Sequence, residues 1–295
     1  MTEPDELYTL RNLFWLGNYQ LAINEANGLH RLPQALVAEK EEFVYRSYLA
    51  MGQYNIILGE VKDSPNTPVA LRAVKLLASF MADPSTKELA LMQMQEWMTD
   101  PVASNTATLQ LISAILYMHD DNIKDAIKVI RHGVSMEQCA LLVQLYLRID
   151  RLDLAQKQVK LMKGTDEDHT LTMLASAWTM LAQGSKAVDA TYVYEELADK
   201  YSPSPLLMNG LAVAKMQQGL YEEAESHLQD ALAKAQSDPD SLANLVCVGQ
   251  HLQRPPEVIA RYLSQLKMKA PSHPLLSSLS IFESAFDRVS TSMLK

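Results

Sequence analysis

Glycine is scarce in this chain, with 10 residues among 295, half of its usual ~7% share. All-β folds and phosphate-binding loops depend on glycine, because it adopts positive φ angles without steric cost. No GxxxxGK[ST], GxGxxG or GxSxG motif occurs, so the common nucleotide-binding and nucleophile-elbow signatures are missing. The scarcity predicts a mostly helical protein without a nucleotide-binding sheet.

Cysteine is rarer still, since Cys139 and Cys247 are the two in the sequence, 108 positions apart. This excludes a disulfide framework and a cysteine zinc set, and it predicts two small buried hydrophobic residues. The seven histidines form no i, i+4 pair and no HExxH. The stretches 119–121 and 166–169 combine histidine with aspartate, but a polar turn and an acidic helix start explain them better. We expect no metal site, cofactor or catalytic centre.

Positive charge is in deficit, with 26 Lys+Arg against 35 Asp+Glu and a net charge of −9. The basic residues are scattered singly, so nucleic acid is not an expected partner. Long apolar runs are missing too, because the weakly charged stretches 102–118 and 169–185 hold too many polar residues to span a membrane. The start of the chain lacks the basic and apolar regions of a signal peptide. We expect a cytoplasmic protein.

What the chain does contain is a repeat of about 34 residues. The clearest copy begins at Pro205 and has the tetratricopeptide pattern, with small residues at repeat positions 8, 20 and 27 (Ala212, Ala224 and Ala231). Small side chains let two antiparallel helices approach closely. Gly219 stands where the first helix must end in a left-handed turn.

Position 20 of the repeat recurs along the whole chain at intervals of 29 to 35 residues. The aligned residues are Ala22, Ile57, Leu91, Ala126, Ala155, Ala190, Ala224 and Val258. One short interval, near Gly133, interrupts an otherwise regular period. Because one helix pair cannot bury its apolar faces alone, the repeats must stack continuously.

The repeat therefore predicts an all-α fold, a right-handed superhelical solenoid of about eight tetratricopeptide-like helix pairs plus a C-terminal capping helix. We expect one domain over residues 1–295, with the capping helix at 274–289. The approximate repeats are 3–36, 38–71, 72–105, 107–135, 136–169, 171–204, 205–238 and 239–272.

Tetratricopeptide arrays present a groove lined by the first helix of each repeat. The repeat register places ten residues there, namely Phe14, Arg46, Leu49, Leu76, Phe80, Leu111, Ile115, Leu147, Val213 and Met216. A clamp for acidic peptide tails would carry Lys, Arg and Asn, of which this surface has Arg11, Arg46 and Asn209. A lining rich in Leu, Ile, Phe and Met predicts a permanent apolar contact instead. If the register is off by one or two residues, the same side chains are core between helices.

Several stretches that the repeat does not demand resemble the family of coatomer epsilon subunits. They are residues 12–20 (NLFWLGNYQ), 150–155 (DRLDLA), 165–172 (TDEDHTLT) with Ala177 and Trp178, 255–267 (PPEVIARYLSQLK), 272–274 and 286–288. The resemblance spans nearly the full length and is weakest over 65–116.

The resemblance implies a non-enzymatic subunit of the coatomer vesicle coat that binds and stabilises the C-terminal part of the alpha subunit. Other coatomer subunits would be reached through that partner. It also implies Golgi-to-ER retrograde and intra-Golgi transport, with the protein peripheral on Golgi membranes and coated vesicles, held there only through the assembled coat. A transient peptide-binding adaptor of the co-chaperone type is the alternative. An enzyme is the least favoured hypothesis.

Overall fold

The computed structural model describes residues 5–64 and 66–293. Within them the chain forms seventeen α-helices and two short 3₁₀ helices, Pro84–Thr86 and Ala103–Asn105, and no strand. The helices are α1 (Tyr8–Trp15), α2 (Tyr19–Gly28), α3 (Gln34–Ala50), α4 (Tyr54–Glu60), α5 (Val69–Ala82), α6 (Lys87–Thr99), α7 (Ala107–His119), α8 (Ile123–Ile130), α9 (Met136–Arg148), α10 (Leu152–Thr165), α11 (Thr170–Gln183), α12 (Ala187–Tyr201), α13 (Pro205–Gln217), α14 (Tyr221–Lys234), α15 (Pro239–His251), α16 (Pro256–Lys269) and α17 (Pro274–Met293). Eight consecutive helix pairs and a final helix confirm the predicted all-helical, tetratricopeptide-like fold class.

The chain divides into two compact units, Met1–Gln183 and Gly184–Lys295. Unit one holds α1 to α11, and unit two holds α12 to α17. Each unit has hydrophobic clusters of its own. Those in unit one include Ile57, Val74, Leu77, Met94, Leu116 and Leu145, and those in unit two include Ala212, Leu228, Leu245, Val248 and Leu266. These clusters form because the apolar faces of successive pairs stack on one another.

The turn inside a pair is made by a single residue with positive φ in seven of the eight described pairs. Those residues are Gly17, Gly52, Asp121, Asp150, Gly184, Gly219 and Gln253. A side chain in this left-handed region costs about 1 kcal/mol, so three of these turns store strain that glycine would remove. The third pair differs, because Asp83 and a 3₁₀ helix join α5 to α6.

The fourth residue of each second helix is small or aliphatic. Ala22, Ile57, Ala90, Ala126, Ala155, Ala190 and Ala224 are buried, and in pair eight Ile259 reaches Gly249 of the first helix, where an added Cβ would lie 3.1 Å from Ile259 Cγ1. The alignment to Leu91 and Val258 was therefore wrong by one residue. The turns of pairs three and eight, 83–86 and 252–255, have four residues, whereas the other pairs have three.

The short interval near Gly133 follows from the way α9 begins. Ser135 and Gln138 form a capping box, and the Gln138 amide also donates to Gln110 Oε1 at 2.7 Å. A Cβ on residue 133 would overlap the Gln138 side chain, so glycine lets the chain pass this cap closely. Because α8 ends at Ile130, the connection to α9 stays short.

Candidate partner-binding site

The first helices of unit one converge on a charged cluster around Arg46. Arg46 Nη2 and Nη1 donate to the two carboxylate oxygens of Glu137 at 2.6 and 3.0 Å, and Nη1 also donates to Glu42 Oε1 at 3.1 Å. The guanidinium carbon lies 4.7 Å from the ring centre of Phe14 and 5.0 Å from that of Phe43. The N–H groups of Arg46 are thus paired with carboxylates, and its guanidinium also makes cation–π contacts with two aromatic rings.

Two further side chains complete this group, which we call the Arg46 cluster (Trp15, Glu42, Arg46, Thr108 and Glu137). Trp15 Nε1 donates to Glu137 Oε1 at 2.8 Å, and Thr108 Oγ1 lies 3.0 Å from both oxygens of Glu42. Its members come from α1, α3, α7 and α9, all first helices, and Glu137 is 91 residues from Arg46 in sequence. The cluster therefore ties together pairs that are distant along the chain.

The two carboxylates of the cluster have opposite electrostatic environments. Burial disfavours the charge of Glu137, but the bidentate Arg46 and the Trp15 N–H outweigh it and lower the pKa of Glu137. Burial dominates at Glu42 and raises its pKa, because Arg46 and Thr108 offset it only in part. Arg46 therefore favours the ionised form of Glu137 more than that of Glu42.

A cavity of about 360 Å³ lies against this cluster. Its lining includes Arg11, Trp15, Glu39, Leu111 and His169. Arg11 is engaged by Glu39 at 2.8 Å and by Asp5 at 2.6 Å, and the Trp15 and His169 ring centres are 4.9 Å apart. This volume is at the small end of the range of ligand-binding clefts and admits a few side chains. Charged and apolar side chains line this cavity together, and the largely apolar groove that the repeat register predicts stays a prediction.

His169 belongs to the acidic stretch that precedes α11. Its Nδ1 accepts the Leu171 backbone N–H at 3.2 Å, and Asp166 Oδ1 accepts the Asp168 N–H at 3.1 Å. Burial lowers the pKa of His169, although Asp166 and Glu137 act in the opposite direction. The stretch therefore forms a helix start, with a neutral imidazole as acceptor.

Unit two has an amide-centred counterpart without a cation, which we call the Asn209 cluster (Asn209, Asp238, Ser241 and Asn244). Asn209 Nδ2 donates to Asp238 Oδ2 at 2.9 Å and to Ser241 Oγ at 2.7 Å. Asn244 Nδ2 donates to Asn209 Oδ1 at 3.0 Å. These bonds join α13 to the start of α15, which are the first helices of neighbouring pairs.

The structure separates the ten predicted groove residues into two groups. Arg46, Leu76, Phe80 and Leu111 are buried, at most 8% exposed. Their surroundings match the alternative that these side chains are core between helices. Half-buried are Phe14, Leu49, Ile115, Leu147, Val213 and Met216. Phe14 is also committed to internal contacts, with its ring centre 5.2 Å from that of Phe43.

Sequence reasoning missed the partners of Arg46. Glu42, Trp15 and Glu137 carry no motif, and nothing local relates α3 to α9, which lie three repeats apart. A weak signal was available for Glu42 alone, because a Glu–Arg pair at i, i+4 on a helix is a common ion pair.

In residues 5–64 and 66–293 no group of three or more His, Cys, Asp or Glu side chains is arranged to hold a metal ion. Cys139 and Cys247 are half-buried, so the expected full burial is wrong, and partial burial raises the pKa of both thiols. None of the helices in this described part is long and apolar enough to cross a membrane.

Comparison with solved structures places this fold among tetratricopeptide-repeat proteins. A chain of the APC/C hetero-tetramer Cut9–Hcn1 matches with a TM-score of 0.64 at 13% identity, covering 94% of this chain and 55% of that one. A tetratricopeptide repeat protein from Parabacteroides merdae matches with a TM-score of 0.61 at 12% identity, covering 88% of this chain and 96% of its own. At such low identity these matches define the class of fold.

Sequence comparison defines the family. The family model of the coatomer epsilon subunit matches residues 3–294. Coatomer subunit epsilon-1 of Arabidopsis thaliana is 40% identical over 289 residues, covering 98% of this chain and 97% of the relative. Coatomer subunit epsilon of Dictyostelium discoideum is 35% identical over 290 residues, covering 96% and 97%. The chain belongs to the coatomer epsilon subunit family and is a component of the COPI vesicle coat.

Proposed function

We propose that this protein is a non-enzymatic structural subunit that binds and stabilises the C-terminal part of the alpha subunit of coatomer. Other coatomer subunits are reached through that partner. The observation that carries the proposal is the family match along residues 3–294, together with a fold whose class serves protein binding. A permanent subunit is expected to bury apolar area, which suits the half-buried Leu, Ile, Val and Met side chains of the first helices.

The transport steps and the location of the protein in the cell follow from this role. The protein works in Golgi-to-ER retrograde and intra-Golgi transport, in the cytoplasm and peripherally on Golgi membranes and coated vesicles. It meets the membrane only through the assembled coat. Cell fractionation tests this part, with the protein expected in cytosol and on Golgi membranes and released when the coat dissociates.

The contact surface is proposed on five half-buried residues of the first helices, Leu49, Ile115, Leu147, Val213 and Met216. The Arg46 cluster supports this surface in unit one by fixing α1, α3, α7 and α9 relative to one another. The buried members of the predicted groove contribute through packing beneath it.

Aspartate substitutions test this surface. Leu147→Asp on α9 and Val213→Asp on α13 should together reduce copurification of the alpha C-terminal region at least tenfold, because a desolvated carboxylate opposes an apolar contact. The matched control carries Leu161→Asp on α10 and Val188→Asp on α12, both exposed on second helices. Circular dichroism checks that helical content is kept in both. Equal retention of the partner by both variants would show that the contact lies elsewhere.

The alternative of a transient charged peptide clamp is weakened by the hydrogen bonds of its candidate residues. Arg11 is occupied by Glu39 and Asp5, Arg46 by Glu42 and Glu137, and the Asn209 amide by its own cluster. A salt titration of the complex decides between the two. We expect retention of the alpha subunit to change little with ionic strength, whereas a charged clamp would weaken steeply.

A further inference from the structure

The last helix, α17, carries an apolar stripe that its own unit leaves uncovered. Large apolar residues follow one another at alternating steps of four and three along it, and they are Leu275, Leu279, Phe282, Phe286, Val289 and Met293. This spacing places them on one face of the helix and is the seam spacing of two-stranded coiled coils. Leu275 packs against a cluster that includes Leu242 and Leu266, so the stripe begins in the core of unit two.

Beyond Leu279 the stripe leaves that core. Phe282, Phe286, Val289 and Met293 are between 53% and 81% exposed. Four large apolar side chains together on one exposed helix face mark an interaction surface, since single exposed residues are ordinary but contiguous patches are not. The same segment carries Glu283, Asp287 and Arg288, a net charge of only −1, so little repulsion opposes the approach of a like segment.

We propose that these four residues pair with the same four residues of a second copy of this chain. In an antiparallel arrangement Phe282 faces Met293 of the second copy, and Phe286 faces Val289 of the second copy. The stripe is then complementary to itself, as a two-fold interface requires. The outer pairs are sulfur–aromatic contacts, which are favourable.

The exposed area suits a weak dimer. The four side chains expose on the order of 500 Å² per chain, so a symmetric pair buries about 1,000 Å², at the lower limit of specific interfaces. The dimer therefore forms at high local concentration, such as that of subunits gathered on one surface. The stripe lies on α17, which carries none of the residues proposed for the partner contact.

Sedimentation of the full-length chain tests the proposal over about a hundredfold range of concentration. We expect the weight-average mass to rise from the monomer value of 33.0 kDa towards twice that value. Phe286→Asp should remain monomeric throughout. Tyr192→Asp, on the exposed face of α12, is the matched control and should dimerise as the unchanged chain does.

A charge-swap pair tests the antiparallel register. Phe282→Glu chains and Met293→Lys chains should each dimerise poorly when alone, and mixing them should restore the dimer, because each mixed dimer has one glutamate–lysine pair and one unchanged phenylalanine–methionine pair. A chain that is monomeric at every concentration overturns the proposal, as does dimerisation that Phe286→Asp leaves unchanged. If the chain is monomeric but Phe286→Asp lowers retention of the alpha subunit, another coat protein covers the stripe and the self-pairing is wrong.

Discussion

The Arg46 cluster of unit one and the Asn209 cluster of unit two occupy first helices in both cases, yet they differ in chemistry. The Arg46 cluster is ionic and joins residues 91 and 122 positions apart. The Asn209 cluster has amide and hydroxyl groups around one carboxylate, without a cation, and joins residues 29 to 35 positions apart, in neighbouring pairs. Neighbouring pairs already stack through the repeat, whereas distant pairs need directional bonds of their own.

The contrast between the two clusters shows what a buried ion pair contributes in a repeat protein. Desolvation of the charges cancels much of their attraction, so such a pair adds little net stability but is costly to break on one side. In unit one it specifies which distant helices meet. In unit two the stacking specifies the same thing, and amide hydrogen bonds are enough.

The substitution expected to have the largest effect on stability is Arg46→Met, which removes the cation of the Arg46 cluster. It leaves the buried Glu42 and the half-buried Glu137 without their cation, and we expect a loss of about 3 kcal/mol in the free energy of unfolding. Adding Glu137→Leu should recover most of that loss. Urea denaturation measures both, and hydrogen exchange should show the loss in α1, α3 and α9.

The control for this pair of variants is Arg254→Met, which removes an exposed ion pair with Glu225 in unit two. We expect it to cost much less stability than Arg46→Met, because surface pairs are screened by water. Similar losses for Arg46→Met and Arg254→Met would contradict the assignment of the Arg46 cluster as a buried structural pair.

The equivalent substitution in unit two is Asn209→Leu. Asn244, Ser241 and Asp238 each lose a partner but keep access to one another or to water, so we expect a smaller loss of about 2 kcal/mol. Hydrogen exchange should rise in α13 and α15 and stay unchanged in α1 to α9. A loss equal to that of Arg46→Met would remove the contrast between the ion-paired cluster and the amide-centred cluster.

Substitutions to glycine test the turns with positive φ in both units, and we expect them to stabilise the protein. Gln253→Gly should raise the free energy of unfolding by about 1 kcal/mol, because a left-handed residue then carries no Cβ. Asp150→Gly makes the same change in unit one and should gain a similar amount. Thermal denaturation measures both, and a loss of stability in either variant would contradict the strain argument.

The smallest effect expected is a pH dependence in unit one. Burial lowers the pKa of His169 and of His119 below their ordinary value of 6.5. The unfolded chain therefore binds these protons first, and stability should be lost as the pH falls from about 7 through 6.5 and below. His169→Asn keeps a cap acceptor without titrating, so it should flatten the slope, leaving the share of His119. An unchanged slope would exclude His169 as a contributor.

Much of the fold could be predicted from the sequence, because the sequence signals that specify it are local. Small residues at fixed spacing and left-handed turns decide where helices begin, end and touch, and all of these lie within one repeat. The errors at Leu91 and Val258 arose where a turn has four residues in place of three, which periodicity cannot show. The candidate site was readable only in part, because Phe80 and Leu76 look the same in sequence whether they face a groove or a core.

The amino-acid sequence alone was enough to predict the helix pairs and their order, because short-range patterns specify them, and the family, because the similarity runs along the chain. The folded structure was needed to show that Arg46 binds Glu137, that four predicted groove residues are buried, and that the end of α17 is exposed. Those features depend on the small rotation of each helix pair relative to the next, added over several pairs. One repeat contains no signal for the total rotation, so contacts between distant helices follow only from the folded structure.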